Sequence, residues 1–202
     1  MIGVIQAGGL SSRMGEDKAW LILDGAPMIE RVLAAARPAV DRLAIVINPA
    51  NPQATAYQQL AARWDALLLT DLHDHRGPLG GIHTALTQCA TDESALILAC
   101  DLPFMTAELL LLLRQFHDSG TAAMTLPLDP SGRVQPLAGL YAASCRAPAA
   151  QMLAEAQLKV ELLCSRLPTR RVAFTEIAHL PGAEQCFINI NTPEEYRAVV
   201  DL

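Results

Sequence analysis

The chain is short of positive charge, of paired cysteines and of long apolar runs, and each shortage closes off a class of function. Fifteen Lys and Arg stand against 21 Asp and Glu, a formal net charge of −6 over 202 residues. No basic stripe runs along the chain, which argues against a nucleic-acid surface, because phosphate-backbone binding needs one. A small polyanion held in a local basic pocket stays compatible with that balance. The five cysteines, Cys89, Cys100, Cys145, Cys164 and Cys186, form no CxxC pair, so reduced thiols in a cytoplasmic protein are expected rather than a disulfide framework or a zinc site. The N-terminus lacks the basic segment and apolar core of a signal peptide. Apolar runs such as residues 109–113 fall far below the roughly 18 residues that span a bilayer. A soluble protein is expected. The usual phosphate-loop signatures are missing too. There is no GxGxxG, and a Walker loop needs Lys directly after its last Gly, whereas Glu16 and Asp17 intervene here.

What the chain does have is an even alternation of short apolar runs and helical patterns. Strand-like runs fall at residues 2–5, 43–47, 66–69, 95–99, 122–126, 137–141 and 172–174. Between them, Met28, Ile29, Val32, Leu33, Ala36 and Val40 recur at helical spacing over 28–40, and residues 107–116 and 193–200 read similarly. Near-continuous apolar strands are buried on both faces, so the expected fold is α/β and Rossmann-like, with a mostly parallel sheet and helices on both faces. At 202 residues, 51% of them hydrophobic, a single domain over 1–202 is expected, with no repeat or linker dividing it.

Open sheets of this kind bind ligands at the carboxyl ends of their strands, and four polar loops begin there. The first is Gln6-Ala-Gly-Gly-Leu-Ser-Ser-Arg-Met-Gly-Glu-Asp-Lys18. Gly8 and Gly9 let backbone N–H groups approach phosphate oxygens, while Arg13 and Lys18 bring a guanidinium and an ammonium to the same ligand. Cys100-Asp101-Leu-Pro-Phe104 places one carboxylate after the strand at 95–99. One or two carboxylates suffice for Mg²⁺, which completes its shell with water and substrate phosphates. Asp71 opens a loop that holds His73, Asp74 and His75 and runs through Gly77, Gly80 and Gly81 into a helix; neighbouring histidines on a polar loop are read as solvated rather than as metal ligands. Asn48-Pro-Ala-Asn51 offers amides to a base or ribose, and a plain turn accounts for it equally well. Farther on, Gln135 could read a second substrate. In Asn189-Ile-Asn-Thr-Pro-Glu-Glu195, helix capping explains Thr192, Pro193 and Glu195. It leaves Asn189 and Asn191, which alternate along an extended segment and would point the same way.

Together these motifs resemble the molybdenum cofactor guanylyltransferase family. The resemblance rests on Ala-Gly-Gly-x-Ser-x-Arg-Met-Gly-x-Asp-Lys, Gly77-Pro-Leu-x-Gly-Ile82, Cys100-Asp-Leu-Pro-Phe104, Gln135-Pro-Leu-x-Gly-Leu-Tyr141 and Asn189-Ile-Asn-Thr-Pro-Glu-Glu195, in family order over nearly the whole chain. It implies a three-layer nucleotidyltransferase fold and transfer of GMP from GTP to the terminal phosphate of molybdopterin, with Mg²⁺ and release of pyrophosphate. By the same resemblance, Gln6, Ala7, Gly8, Gly9, Gly15, Lys18, Asn48, Asp71 and Asp101 would hold the nucleotide, and Asp101 also the metal. Arg13, Lys18 and Asp101 would carry the catalysis. Gly77, Pro78, Leu79, Gly80, Gln135, Asn189 and Asn191 would face the acceptor. Implied partners are a molybdopterin-delivering protein and a molybdoenzyme client, and the chain itself is expected as a monomer or weak oligomer. Gln6 departs from the family pattern, which has Leu there; because the loop contacts are expected to be mainly backbone, little effect on nucleotide binding is expected.

The chemistry is consistent with this assignment. A phosphate monoester is already mostly dianionic near neutral pH, so no general base is required, and the sequence offers no convincing catalytic triad. The rivals are a relative that uses CTP or a sugar-phosphate acceptor, and a non-catalytic nucleotide-binding module. The second should have lost Asp101 or Lys18, and both are present.

Overall fold

The computed structural model describes residues 1–7, 17–73 and 76–200. In chain order it forms β1 (Ile2–Gln6), the short β2 (Ile22–Leu23) and β3 (Ala26–Pro27), α1 (Met28–Ala36), β4 (Arg42–Ile47), α2 (Ala54–Arg63), β5 (Ala66–Thr70), α3 (Gly77–Thr87), β6 (Ser94–Ala99), α4 (Ala107–Asp118), β7 (Met124–Pro127), β8 (Ala138–Ala142), α5 (Arg146–Ala154), α6 (Leu163–Arg166), β9 (Thr169–Val172), α7 (Phe174–Ile177) and α8 (Pro193–Val200). Seven strands make one sheet in the order β5-β4-β1-β6-β8-β7-β9, and β2 pairs with β3 in a separate ribbon. The pairs β1–β4, β1–β6, β4–β5 and β7–β9 are parallel; β8 alone runs antiparallel to both its neighbours. This is the mostly parallel α/β sheet expected from the apolar runs.

Strand side chains alternate between the two faces, and two core clusters follow from that period. On one face Ile5, Ile45, Leu96 and Leu98 pack against Ile29 and Leu33 of α1, Tyr57 and Leu60 of α2, and Leu109 and Leu113 of α4. On the other, Val4, Val46, Ala95 and Ile97 meet Leu79, Ile82 and Leu86 of α3 and Met152 of α5. The central strands are therefore covered on both sides, which is why their sequences read as unbroken apolar runs.

The helix expected over 28–40 ends at Ala36 and passes into a 3₁₀ turn, Arg37–Ala39. Pro38, with no N–H to donate, stops the α-helical ladder. At the far edge of the sheet, the strand expected at 172–174 instead ends at Val172. Its preceding residues Thr169, Arg170 and Arg171 form the strand with their side chains largely in solvent, and Phe174 already begins α7. Thr192, Pro193 and Glu195 start α8 as the capping pattern expects: Thr192 Oγ1 accepts the Glu195 N–H at 3.2 Å, and Glu195 Oε2 accepts the Thr192 N–H at 3.1 Å. Among the described residues three polar side chains are buried, Thr84, His117 and Thr125. His117 of α4 bridges Thr125 Oγ1 and Ser94 Oγ, each 3.0 Å from a ring nitrogen. Among the described residues no helix is long and apolar enough to cross a membrane.

Candidate active site at the carboxyl edge of the sheet

The chain leaves β1 toward β4 on one side, and β6 joins it on the other, so the strand order reverses beside β1. A crevice opens outside the carboxyl ends of the strands at such a point. The ladder here runs past the strands themselves. Ala7 N–H donates to Val46 O at 2.9 Å, Cys100 N–H to Gln6 O at 3.1 Å and Asp71 N–H to Ile47 O at 2.9 Å. These bonds hold the strand-end loops in fixed register around a cavity of about 340 Å³, a size suited to a small ligand. Its polar lining comes from Gln6, Lys18, Asn48, Asp71, His73, Arg76 and Asp101, with Gly77 and Pro78 from the start of α3; Val46, Ala99 and Leu137 add apolar floor.

Lys18 sits in a 3₁₀ turn, Lys18–Trp20, that Asp17 caps by accepting the Ala19 N–H at 3.2 Å. The second oxygen of Asp17 accepts the Tyr57 hydroxyl at 2.7 Å, tying this turn to α2. From there Lys18 Nζ donates to Asp101 Oδ2 and, at 2.8 Å, to Asn191 Oδ1. The pair is largely enclosed, with side-chain exposures of 18% for Lys18 and 15% for Asp101. Asn191 reaches the site because Ile190 N–H donates to the Asp101 carbonyl at 3.1 Å, while the Ile190 side chain is buried against Leu23 and Met28. Three residues from both ends and the middle of the chain thus share one point. Beneath them the Cys100 thiol is buried, and its pKa is pushed up by burial and by the Asp101 carboxylate, so it stays protonated and inert. Tyr57 behaves likewise: burial and the neighbouring Asp17 raise its pKa, which keeps its hydroxyl a donor.

On the opposite wall, Asp71 Oδ1 accepts from Thr84 Oγ1 at 2.7 Å and from the His73 N–H at 3.1 Å. His73 also lines the cavity, and its Nε2 lies 2.9 Å from His83 Nδ1. It is not the solvated loop histidine expected. Burial, followed by the neighbouring His73, lowers the pKa of His83. Gly77 takes φ of +62° at the entry to α3, a conformation that favours glycine. Gly81 serves a different purpose: a Cβ there would stand 2.6 Å from Cδ and Oε1 of Gln6. The Gln6 side chain therefore lies on the bare backbone of α3 and donates to Pro78 O at 3.4 Å. Its carboxamide lines the cavity, a role beyond the backbone contacts expected of that position.

Of the residues singled out in the sequence, Gln6, Lys18, Asn48, Asp71, Asp101, Gly77 and Pro78 are brought together around this cavity, and Asn191 joins through Lys18. Ala7 and Leu79 are buried in the two core clusters, and Gly80 is packed against His73 and Arg76. Gln135 lies in the β7–β8 connection, where its N–H donates to Pro127 O and its side chain to Asp129 Oδ2 at 2.8 Å. Asn189 is exposed to solvent. Gly8, Gly9, Arg13 and Gly15 lie outside the described residues, as do Asp74 and His75. Two polar residues that hold the site, Tyr57 and Thr84, escaped the sequence reading. The available signal was weak: each sits at a core position of an otherwise apolar helix face, with Leu60 and Ala61 on α2 and with Ile82 and Ala85 on α3.

Comparison with known proteins gives the chain its relatives. The MobA-like NTP transferase domain family matches residues 3–168. A molybdenum cofactor guanylyltransferase from Desulfosudis oleivorans is 33% identical over 195 residues, covering 96% of this chain and 91% of that protein. Another from Vibrio cholerae is 31% identical, covering 95% of this chain and 87% of that one. Among solved structures, molybdopterin-guanine dinucleotide biosynthesis protein A from Archaeoglobus fulgidus superposes with a TM-score of 0.82 over all of this chain and 97% of its own, at 24% identity. At that identity the likeness speaks to the fold.

Proposed function

Because this chain belongs to the MobA-like NTP transferase family and, with its curated relatives, to the molybdenum cofactor guanylyltransferases, we propose that it transfers GMP from GTP to the terminal phosphate of (Mo-)molybdopterin. Molybdopterin guanine dinucleotide and pyrophosphate are the products, and the reaction takes place in the cytoplasm. The observation that carries the site assignment is the Lys18 ammonium held between Asp101 and Asn191 at the strand-edge cavity.

Such a reaction needs two polyanions brought into line and the charge on the leaving pyrophosphate neutralised. The Lys18 charge is balanced by Asp101. A triphosphate entering the cavity offers Lys18 a stronger anionic partner and releases the Asp101 carboxylate. That carboxylate is a hard oxygen donor on the cavity, and one such donor fits Mg²⁺, which takes few protein ligands and completes its shell with water and phosphate oxygens. When bound there, Mg²⁺ supplies positive charge to the phosphate oxygens. Asn48 and Gln6 present amides to the nucleotide, and Asn191, on the flank where the C-terminal segment docks, marks the acceptor side. The acceptor phosphate attacks the α-phosphorus as a dianion, and the α–β phosphoanhydride breaks with its electron pair leaving on pyrophosphate. No side chain has to remove a proton. Arg13 and the glycines of its loop are proposed as further contacts to the phosphates.

The test is pyrophosphate release by the purified protein with Mg²⁺ and molybdopterin-loaded acceptor, with GTP, CTP and ATP in parallel. Release with GTP alone is expected. Release with CTP alone would move the assignment to the cytidylyl relatives, and release with none would remove it.

A further inference from the structure

We propose that Thr84 is a positioning residue for nucleotide binding, its hydroxyl fixing the Asp71 carboxylate at the wall of the cavity. This rests on the reading that the cavity takes the nucleotide. Thr84 is 2% exposed and stands on the buried face of α3. A threonine inside a helix commonly turns its hydroxyl back to a carbonyl of the preceding turn. Here the hydroxyl leaves its helix. It donates to Asp71 Oδ1 at 2.7 Å and accepts the Leu72 N–H at 3.0 Å, so both of its hydrogen-bonding capacities go to the loop after β5.

With the His73 N–H also on Oδ1 at 3.1 Å, one carboxylate oxygen is held by two donors and the plane of the group is set. The other oxygen, Oδ2, rests near Gly80, 3.4 Å from where a Cβ would stand. A carboxylate that receives its orientation from buried donors does not have to be ordered by the ligand, and that saving is realised as affinity. The contact between His73 and His83 ties the same loop to α3 a second time. Asp71 and the Gly77-Pro78 turn at the head of α3 therefore keep one spacing across the cavity.

Replacing a threonine that merely stabilised the fold would lower the melting temperature without acting through Asp71. The experiment compares Thr84→Val, Thr84→Ser and Asp71→Ala, together with the double variant Thr84→Val/Asp71→Ala, measuring kcat and KM for GTP and the melting temperature of each. Thr84→Val is expected to raise KM for GTP about tenfold and to leave kcat within about twofold, the pattern of lost uniform binding. Thr84→Ser keeps the hydroxyl and is expected to restore the wild-type KM. In the Asp71→Ala background, Thr84→Val is expected to change KM no further, because the group it positions is gone. Thr84→Ala removes the same hydroxyl without setting a methyl against the carboxylate, and carries the same expectation if the valine variant is unstable. A wild-type KM in Thr84→Val, or an equal further rise in the double variant, would overturn the role of Thr84 while leaving the nucleotide assignment standing. A wild-type protein that neither binds nor turns over GTP would overturn both.

Discussion

Replacing Tyr57 by Phe removes a single oxygen and tests whether the Lys18 turn is held from α2. The Tyr57 ring is fully buried and its hydroxyl lies 2.7 Å from Asp17 Oδ2. Phe keeps the ring packing against Trp20, whose centroid is 5.1 Å away, so no cavity forms and the loss is confined to one hydrogen bond to a charged, half-buried acceptor. Such a bond contributes about 1.5–3 kcal/mol. For a domain of this size a loss of about 2 kcal/mol lowers Tm by roughly 4–8 °C. Urea unfolding followed by tryptophan fluorescence gives the free energy, with Trp20 reporting from the site of the change. The double variant Tyr57→Phe/Asp17→Ala supplies the control. If the bond acts as described, Tyr57→Phe costs little once Asp17 is gone, and the coupling energy comes out at about 1.5 kcal/mol or more. A coupling below about 0.5 kcal/mol would show that α2 does not hold this turn through Asp17, and would refute the reasoning.

Three further outcomes are expected. Asp101→Ala should retain the far-ultraviolet spectrum of the fold and lose nucleotidyl transfer by about 100-fold or more; turnover near wild type with Mg²⁺ would remove Asp101 from the site. Lys18→Ala should weaken GTP binding by about ten- to a hundredfold in a titration, the scale of a charge-assisted contact to phosphate, and an unchanged Kd would exclude Lys18. His117 gives a pH signature. Its pKa in the folded chain is lowered from 6.5, chiefly by burial, so the folded protein resists a proton that the unfolded chain accepts. Its contribution is complete above 6.5 and is lost as pH falls below that value. Unfolding free energy measured between pH 7.5 and 5.5 should therefore fall less steeply in His117→Gln than in wild type, and equal slopes would show that His117 is not responsible.

The central half of the fold was legible because its strands are covered on both faces. Val4, Ile45 and Ile97 belong to runs with no polar interruption, and helices fill the space between those runs. The edge was harder to read. Arg170 and Arg171 form part of β9 although nothing in their hydropathy marks a strand, since an edge strand with one wet face loses the apolar signature and keeps only its backbone pairing. Likewise, the reversal of β8 is set by which neighbours it meets, and no local pattern encodes that. In the site, Lys18, Asp71 and Asp101 could be named from motif order, and the capping box of α8 from three residues. Thr84 and Tyr57 could not. A buried hydroxyl in an apolar face looks like core until its partner, 13 residues away for Thr84 and 40 for Tyr57, is brought beside it. The Gln6 side chain was undervalued for the same reason: the bare backbone of Gly81 that receives it lies far along the chain.

Asn191 follows every strand of the sheet in sequence, yet it shares the Lys18 ammonium with Asp101. On a ribosome the sheet edge can assemble while this asparagine is still being made, since synthesis delivers the N-terminal elements first. The nascent protein would at that stage hold the nucleotide half of its machinery without the flank supplied by the C-terminal segment. Synthesis of residues 188–192 is therefore also completion of the site, and a change that disturbs them should silence the protein while leaving the sheet folded.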